Sequence, residues 1–275
     1  MNIQKLVKIL TDNGIEKNEA RSEVKFLLGG LFNYTEKDKL QGKQLNAEQT
    51  KELEEKIRQR AESKQPIQYI IGKSWFMGEY FKVTPDVLIP RDETEILVSE
   101  AIKLIENNKL NTVLDIGTGS GCIACTIAKQ TDAVVLGVDI SSDALRVALD
   151  NVTNLAINNR AVFRKSDLFE KIRPEEKFDL IISNPPYIPV GTELQEEVKK
   201  EPQIALFAED NGLYFYKKIT EEAPKHLNNG GFLLFELGIG ESENVMDMMK
   251  HDFSNTVIIK DLAGIDRVIL GRYIK

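Results

Sequence analysis

Four near-continuous apolar runs constrain this chain more than any other feature: Thr112-Val113-Leu114-Asp115-Ile116, Ala133–Val138, Phe178–Ile182 and Gly231–Glu236. A strand with one wet face alternates apolar and polar residues. Runs as unbroken as these are expected of strands covered on both faces. Stretches of helical character lie between them, so the chain beyond Asn111 predicts an α/β architecture with a mostly parallel sheet. Thr256–Lys260 and Arg267–Gly271, joined by the short Asp261–Asp266 connection, predict an antiparallel hairpin closing that sheet.

The N-terminal part reads differently. Ile3, Leu6, Val7 and Leu10 fall at helical spacing, with Gly14 to end the helix. Ala20, Val24, Leu27, Leu28 and Leu31 repeat the pattern, and the Gly29-Gly30 pair lies near its end. Asn46 and Gln49 form a capping-box-like start for a charged helix reaching about Ala61. Pro66–Gly72 and Tyr80–Val83 are short β-rich runs around a turn at Gly78, predicting a hairpin linker. Leu88-Ile89-Pro90-Arg91 then leads into a helix carrying Leu97, Ala101, Leu104 and Ile105 on one face. At 275 residues the chain accommodates a small domain and a larger one. The predicted boundaries are 1–64 for a helical bundle, 65–90 for the linker and 91–275 for the α/β domain.

The bulk chemistry narrows the field. The formal charge of -7, with the acidic excess beyond residue 90, disfavours a nucleic-acid grip, which needs lysine and arginine to neutralise phosphates. No apolar run approaches the roughly 20 residues that span a bilayer, and MNIQKLVKIL lacks a signal-peptide core. Two cysteines fit a reducing compartment, so the cytoplasm is expected. Cys122 and Cys125 have C-x-x-C spacing but fall within a helix and read as small core residues, with no metal expected. His226 and His251 are isolated and read as surface residues.

Candidate site residues lie on loops that follow strands. Gly117-Thr118-Gly119-Ser120-Gly121 connects a strand to a helix, where glycines let backbone approach a ligand. Cys122 stands where a dinucleotide fingerprint needs its third glycine, and no Gly-Lys-Ser/Thr exists for a phosphate-cradling loop. Asp139 ends the next strand, where a carboxylate can accept from both hydroxyls of an adenosine ribose. Asp167 could accept from an adenine amino group while Leu168 packs on the ring. Ser183-Asn184-Pro185-Pro186-Tyr187 is the most telling segment. Two stiff prolines without N–H donors can aim a carbonyl outward. That carbonyl and the Asn184 side-chain oxygen can hold both hydrogens of an –NH2 group, while Tyr187 packs on its planar face.

Together these segments resemble the HemK/PrmC family, the glutamine N5-methyltransferases that modify peptide-chain release factors. The resemblance spans Pro66–Gly72, Leu88–Arg91, Glu93-Thr94-Glu95, Leu114–Gly121, Asn184–Ile188 and Asp261–Arg267. It implies a seven-stranded Rossmann-like class I methyltransferase fold beside a helical substrate-recognition domain. It implies S-adenosylmethionine as cofactor, held by Gly117–Gly121, Asp139, Asp167, Leu168 and Asn184, and S-adenosylhomocysteine as product. Asn184, Pro185, Pro186 and Tyr187 would bind the substrate, with Asn184, Pro185 and Tyr187 catalytic. The partner implied is a class 1 release factor, methylated on the glutamine of its Gly-Gly-Gln motif. The chain departs from the family pattern at Asp92, where proline is usual, and across Glu197–Leu213. Three other readings compete: a nucleic-acid base N-methyltransferase, which would want a basic face; a non-catalytic docking protein; and a dinucleotide oxidoreductase, which Cys122 disfavours.

Overall fold

The computed structural model describes residues 3–274; Met1, Asn2 and Lys275, at the outer ends of the predicted domain boundaries, lie outside it. The chain divides into two compact units. One is the chain through Lys73 together with Leu194–Lys200, and the other is Ser74–Glu193 with Glu201 onward.

The first unit is helical: α1 (Ile3–Asp12), α2 (Lys17–Phe32), α3 (Glu36–Leu40), α4 (Ala47–Ser63) and α5 (Ile67–Ile71). Asn46 caps α4 through a reciprocal box with Gln49. Leu6, Leu10, Ala20, Val24, Leu27, Leu53 and Ile57 make its core. Arg60 is buried in this unit, where its guanidinium bonds Glu23 at 2.8 Å and pairs with Glu197. Burial outweighs Arg60's attraction and raises the Glu23 pKa. The β-rich run Pro66–Gly72 is a correction: it forms α5, closed by Gly72 at φ 74. Ile67 and Ile70, three residues apart, bury one face in the helical core, so packing overrides the β propensity of the isoleucines.

β1 (Lys73–Phe76) and β2 (Glu79–Lys82), which but for Lys73 belong to the second unit, form a hairpin around Gly78. The first predicted arm therefore starts later than expected. There follow α6 (Asp92–Asn108), β3 (Thr112–Ile116), α7 (Cys122–Gln130), β4 (Val134–Asp139), α8 (Ser142–Asn154), β5 (Ala161–Lys165) and β6 (Phe178–Ser183). Next come β7 (Ile188–Pro189) and β8 (Phe207–Ala208), which pair with each other as a separate two-stranded sheet. The chain closes with α9 (Tyr214–Glu222), β9 (Leu227–Glu236), α10 (Ser242–Met249), β10 (Phe253–Lys260) and β11 (Asp266–Tyr273). The seven-stranded sheet runs β10-β11-β9-β6-β3-β4-β5. β9, β6, β3, β4 and β5 are parallel, and β11 is antiparallel to both of its neighbours, as the hairpin expectation required. β5 is a strand that the apolar pattern did not announce, because Val162 is exposed and Arg164 and Lys165 carry charge.

Two apolar clusters are built on this sheet. One gathers Leu97, Val113, Ile123, Val135 and Leu180, and the other gathers Leu114, Ile116, Val138, Ile181, Tyr216 and Phe235. Neighbouring residues of a strand thus fall in different clusters, which is why the strand sequences hardly alternate. Cys122 and Cys125 are buried within α7, and burial pushes the Cys122 thiol up to about 12. His226 corrects the surface reading: it is buried and stacks on Phe169 at 5.1 Å.

Candidate active site

Strand order reverses at β3. The chain runs from β3 outward through β4 and β5 on one side, and through β6 and β9 on the other. Loops leaving the C-terminal ends of β3 and β6 therefore part in opposite directions and leave a crevice, where ligands of open α/β sheets bind. Ile116 pairs with Ser183 across these strands, and the Ser183 hydroxyl donates to the Ile116 carbonyl at 2.8 Å. Gly117 and Asn184, the residues that follow, consequently begin two loops on adjacent strand ends.

The glycine loop is pinned from below. Gly117 and Thr118 N–H both donate to the Val138 carbonyl at 2.9 and 3.0 Å. Gly119 N–H donates to one Asp139 oxygen at 2.9 Å, and Ser141 N–H donates to the other at 2.9 Å. Asp139 thereby joins the loop to the start of α8, and its burial raises its pKa despite these bonds. Thr118 turns inward and donates to Asp115 at 2.6 Å. Asp115 is fully buried, its Oδ1 has no hydrogen-bond partner among the described residues, and desolvation pushes its pKa up to about 7. Gly121 lies against Ala148 and Phe163, where a Cβ would sit 3.0 Å from each. Buried Asn151 ties this loop to the hairpin. Its amide donates to the carbonyls of Ser120 and Lys82 at 2.8 and 3.0 Å and accepts from Lys82 N–H at 2.7 Å.

A cavity of about 260 Å³ opens over these loops. Gly117, Gly119, Asp139, Asp167, Leu168, Asn184, Pro185 and Pro186, all singled out from the sequence, line it. Thr118, Ser120 and Gly121 support the loop from outside the lining, and Tyr187 stands beside the cavity against Gly238. Leu168 holds φ 44, with its carbonyl accepting from the Ser166 hydroxyl at 2.8 Å. Val87, Leu88, Ile140, Tyr214, Phe215 and Ile219 complete an apolar wall that sequence reasoning did not find. Ser141, the N-cap of α8, was the one local signal for that side.

The donor set fits an adenosyl ligand. The space where a Cβ of Gly117 would stand is open within 4 Å, so a side chain there would fill the cradle. Asp139 offers acceptors, Leu168 and Ile140 offer apolar surface, and among the described residues no cation lines the cavity to pair a phosphate.

Across the cavity, the Asn184 amide donates through Nδ2 to the Thr94 hydroxyl at 3.1 Å. Thr94 in turn donates to Glu236 at 2.6 Å. Burial pushes Glu236 up to about 7 and the Tyr187 phenol up to about 12. The departing segment Glu197–Leu213 has a definite structure. Glu201 is buried, accepts from Ile89 N–H at 3.1 Å and pairs with Arg91, while Pro202, Ile204 and Ala205 line the cavity. Asp210 and Asn211 take φ 53 and 56, a region that Asp and Asn enter more readily than most residues. Gly212, at φ 94, touches the Tyr187 backbone, where a Cβ would come within 2.3 Å of the Tyr187 carbonyl oxygen.

Comparison with known proteins agrees with this geometry. Residues 93–202 match the family model described as methyltransferase small domain. A release factor glutamine methyltransferase of Geobacter sulfurreducens is 40% identical, over 96% of this chain and 92% of that protein. One of Streptococcus pneumoniae is 36% identical, over 98% of each. Among solved structures, a methyltransferase from Pyrococcus furiosus aligns with TM-score 0.53 at 22% identity, covering 73% of this chain and 91% of that one, a likeness of fold.

Proposed function

Because the chain belongs to the release factor glutamine methyltransferase family, we propose that it transfers a methyl group from S-adenosylmethionine to the side-chain amide nitrogen of the Gly-Gly-Gln glutamine in class 1 release factors. The observation that carries this reading is the meeting of the glycine loop and the Asn184–Pro186 turn around one cavity at adjacent strand ends. The bound cofactor supplies a methyl already activated on a sulfonium sulfur. What remains for this chain is to hold, orient and exclude water, and orientation alone can supply much of the rate.

Gly117 and Gly119 let backbone approach the cofactor, Asp139 accepts from its ribose hydroxyls, and Asp167 and Leu168 take the adenine. Asn184 Oδ1 and a carbonyl of the Pro185-Pro186 turn accept the two N–H groups of the glutamine amide. Those bonds push electron density onto a nitrogen whose lone pair is otherwise delocalised, and they disperse the positive charge growing there. Tyr187 packs against the planar amide. The methyl would pass from the cofactor's sulfonium sulfur to that nitrogen, the N–C bond forming as the S–C bond breaks, and the nitrogen would then give up a proton to solvent. The helical unit is read as the grip on another part of the release factor.

The direct test is mass spectrometry of an unmodified release factor incubated with the protein and S-adenosylmethionine. The expected result is a gain of about 14 Da on that glutamine, methyl replacing hydrogen in an oriented transfer, and no gain with Asn184→Ala. A protein that binds the cofactor yet leaves the glutamine unmethylated overturns the reading in favour of another acceptor, such as a nucleic-acid base.

A further inference from the structure

Three side chains form a polar chain leading away from the acceptor site, and its direction matters. Asn184 follows β6 and Glu236 ends β9. These strands are parallel neighbours in which Ser183 pairs with Phe235, so the two side chains leave adjacent strand ends. Thr94, in the first turn of α6, stands between them. It is 2% exposed and Glu236 1% exposed, so neither exchanges its partner for bulk water at low cost. The bonds run from Asn184 Nδ2 to Thr94 Oγ1 at 3.1 Å, and from Thr94 Oγ1 to Glu236 Oε2 at 2.6 Å.

An ionised carboxylate only accepts. With Glu236 at the closed end, the Thr94 proton points to Glu236, and Thr94 turns a lone pair toward Asn184. Against a lone pair, the Asn184 amide must present its NH2 rather than its oxygen. Its oxygen is left for the site. Which end of a carboxamide bears oxygen is decided by such partners, because the two ends have nearly the same shape. A flipped Asn184 would offer NH2 to the substrate NH2, donor against donor.

We propose that Thr94 and Glu236 are positioning residues that fix the polarity of the Asn184 amide, so that Oδ1 faces the acceptor –NH2 group. The proposal deepens the methyl-transfer reading and rests on it for its kinetic consequence only. A protonated Glu236 could donate to Thr94, free the Thr94 proton to turn toward Asn184, and so admit the reversed chain. Glu236 is faced by Glu93, Arg91, Arg267 and Tyr187 as well as by Thr94, and burial holds it above the ordinary carboxylate range. Polarity is therefore enforced only once Glu236 ionises. Methyl transfer should rise with pH across that ionisation.

The test uses the full chain with Thr94→Val, Thr94→Ser and Glu236→Gln. The first arm needs no substrate: the side-chain amide protons of Asn184, identified by their loss in Asn184→Ala, are followed by NMR against pH. They should shift in Thr94→Val, stay near their parent positions in Thr94→Ser, and lose their carboxyl-linked titration in Glu236→Gln. The second arm measures kcat, KM for the release factor and Kd for S-adenosylhomocysteine. Loss of one orienting bond should lower kcat about tenfold in Thr94→Val, with KM and Kd within about threefold, and Thr94→Ser should recover most of it. Glu236→Gln, which tolerates either polarity, should flatten the rise of kcat with pH even if Thr94→Val does not fold. Asn184 amide protons indifferent to Thr94→Val and to the Glu236 titration would overturn the proposal. A fall confined to KM or Kd would do the same. A parent enzyme that methylates no release factor would sink the substrate reading, and the NMR arm would still decide this one.

Discussion

At the scale of single residues, the acceptor turn is held by contacts on several sides. Asn184 reaches Thr94, while Gly238 lies against the Tyr187 ring and Gly212 against the Tyr187 carbonyl. Gly212 combines φ 94 with a position where a Cβ would lie 2.3 Å from that carbonyl oxygen. Alanine there strains its backbone by about 1–2 kcal/mol, and its Cβ must in addition displace Tyr187. The expected outcome of Gly212→Ala is a loss of methyl transfer of about a hundredfold, because an acceptor misplaced by an ångström forfeits much of the orientation effect. Binding of S-adenosylhomocysteine, measured by calorimetry, should stay near that of the parent. Unchanged kcat would mean that Tyr187 does not need its present place. Thr94 stood out in the sequence only as part of Glu93-Thr94-Glu95, and nothing there tied it, Gly212, Gly238 or Glu236 to the turn. Asn184, Pro185, Pro186 and Tyr187 form a contiguous run with unusual chemistry, whereas Thr94, Gly212, Gly238 and Glu236 meet them only through tertiary folding.

At the scale of elements, legibility followed local information. The β3, β4, β6 and β9 runs could be read because both faces of each are covered, and the α4 start because Asn46 and Gln49 are one turn apart. β5 was not legible, since its exposed and charged residues mimic a loop. α5 was misread because three isoleucines favour a strand wherever packing does not choose a helix. The link between the hairpin and the glycine loop is also invisible in sequence: Asn151 is an ordinary residue of α8 until it is found bonded to Lys82 and Ser120. Asn151→Leu fills similar space but leaves a Lys82 N–H and two carbonyls in need of partners. It should destabilise the protein by about 2–4 kcal/mol, read as a lower chemical-denaturation midpoint at unchanged slope. A midpoint within error of the parent would show that water replaces the amide.

For the whole molecule, buried acids set an unusual pH dependence. Asp115 and Glu236 keep their protons up to about 7 in the folded state, while the unfolded chain releases them near the ordinary carboxylate values of about 4. Between those limits the folded state binds more protons than the unfolded one. Stability contributed by these groups is therefore present at pH 4 and falls as pH rises toward 7, by about 1.4 kcal/mol per pH unit for each. Glu176, paired with Arg164 and held down at about 2, acts in the opposite sense and in a lower window, losing its contribution as pH falls below about 4. Thermal melts between pH 5 and 7 should show the decline with rising pH, and Asp115→Asn should make it shallower. A variant with the parent's slope would mean that Asp115 is ionised throughout.

The two units are not consecutive pieces of chain. Leu194–Lys200, encoded between the acceptor turn and the cavity-lining Pro202, belongs with the helices at the other end of the sequence. The polypeptide thus passes between units three times, after Lys73, after Glu193 and after Lys200. In hereditary terms the two cannot be shuffled by a single crossover. A recombination at the Lys73 junction would deliver the helices without Glu197, leaving the buried Arg60 guanidinium with Glu23 alone. It would equally hand a foreign partner a catalytic unit interrupted by seven residues whose packing stayed behind. Variation between lineages in the helical unit must therefore arise by substitution within it rather than by trading it whole.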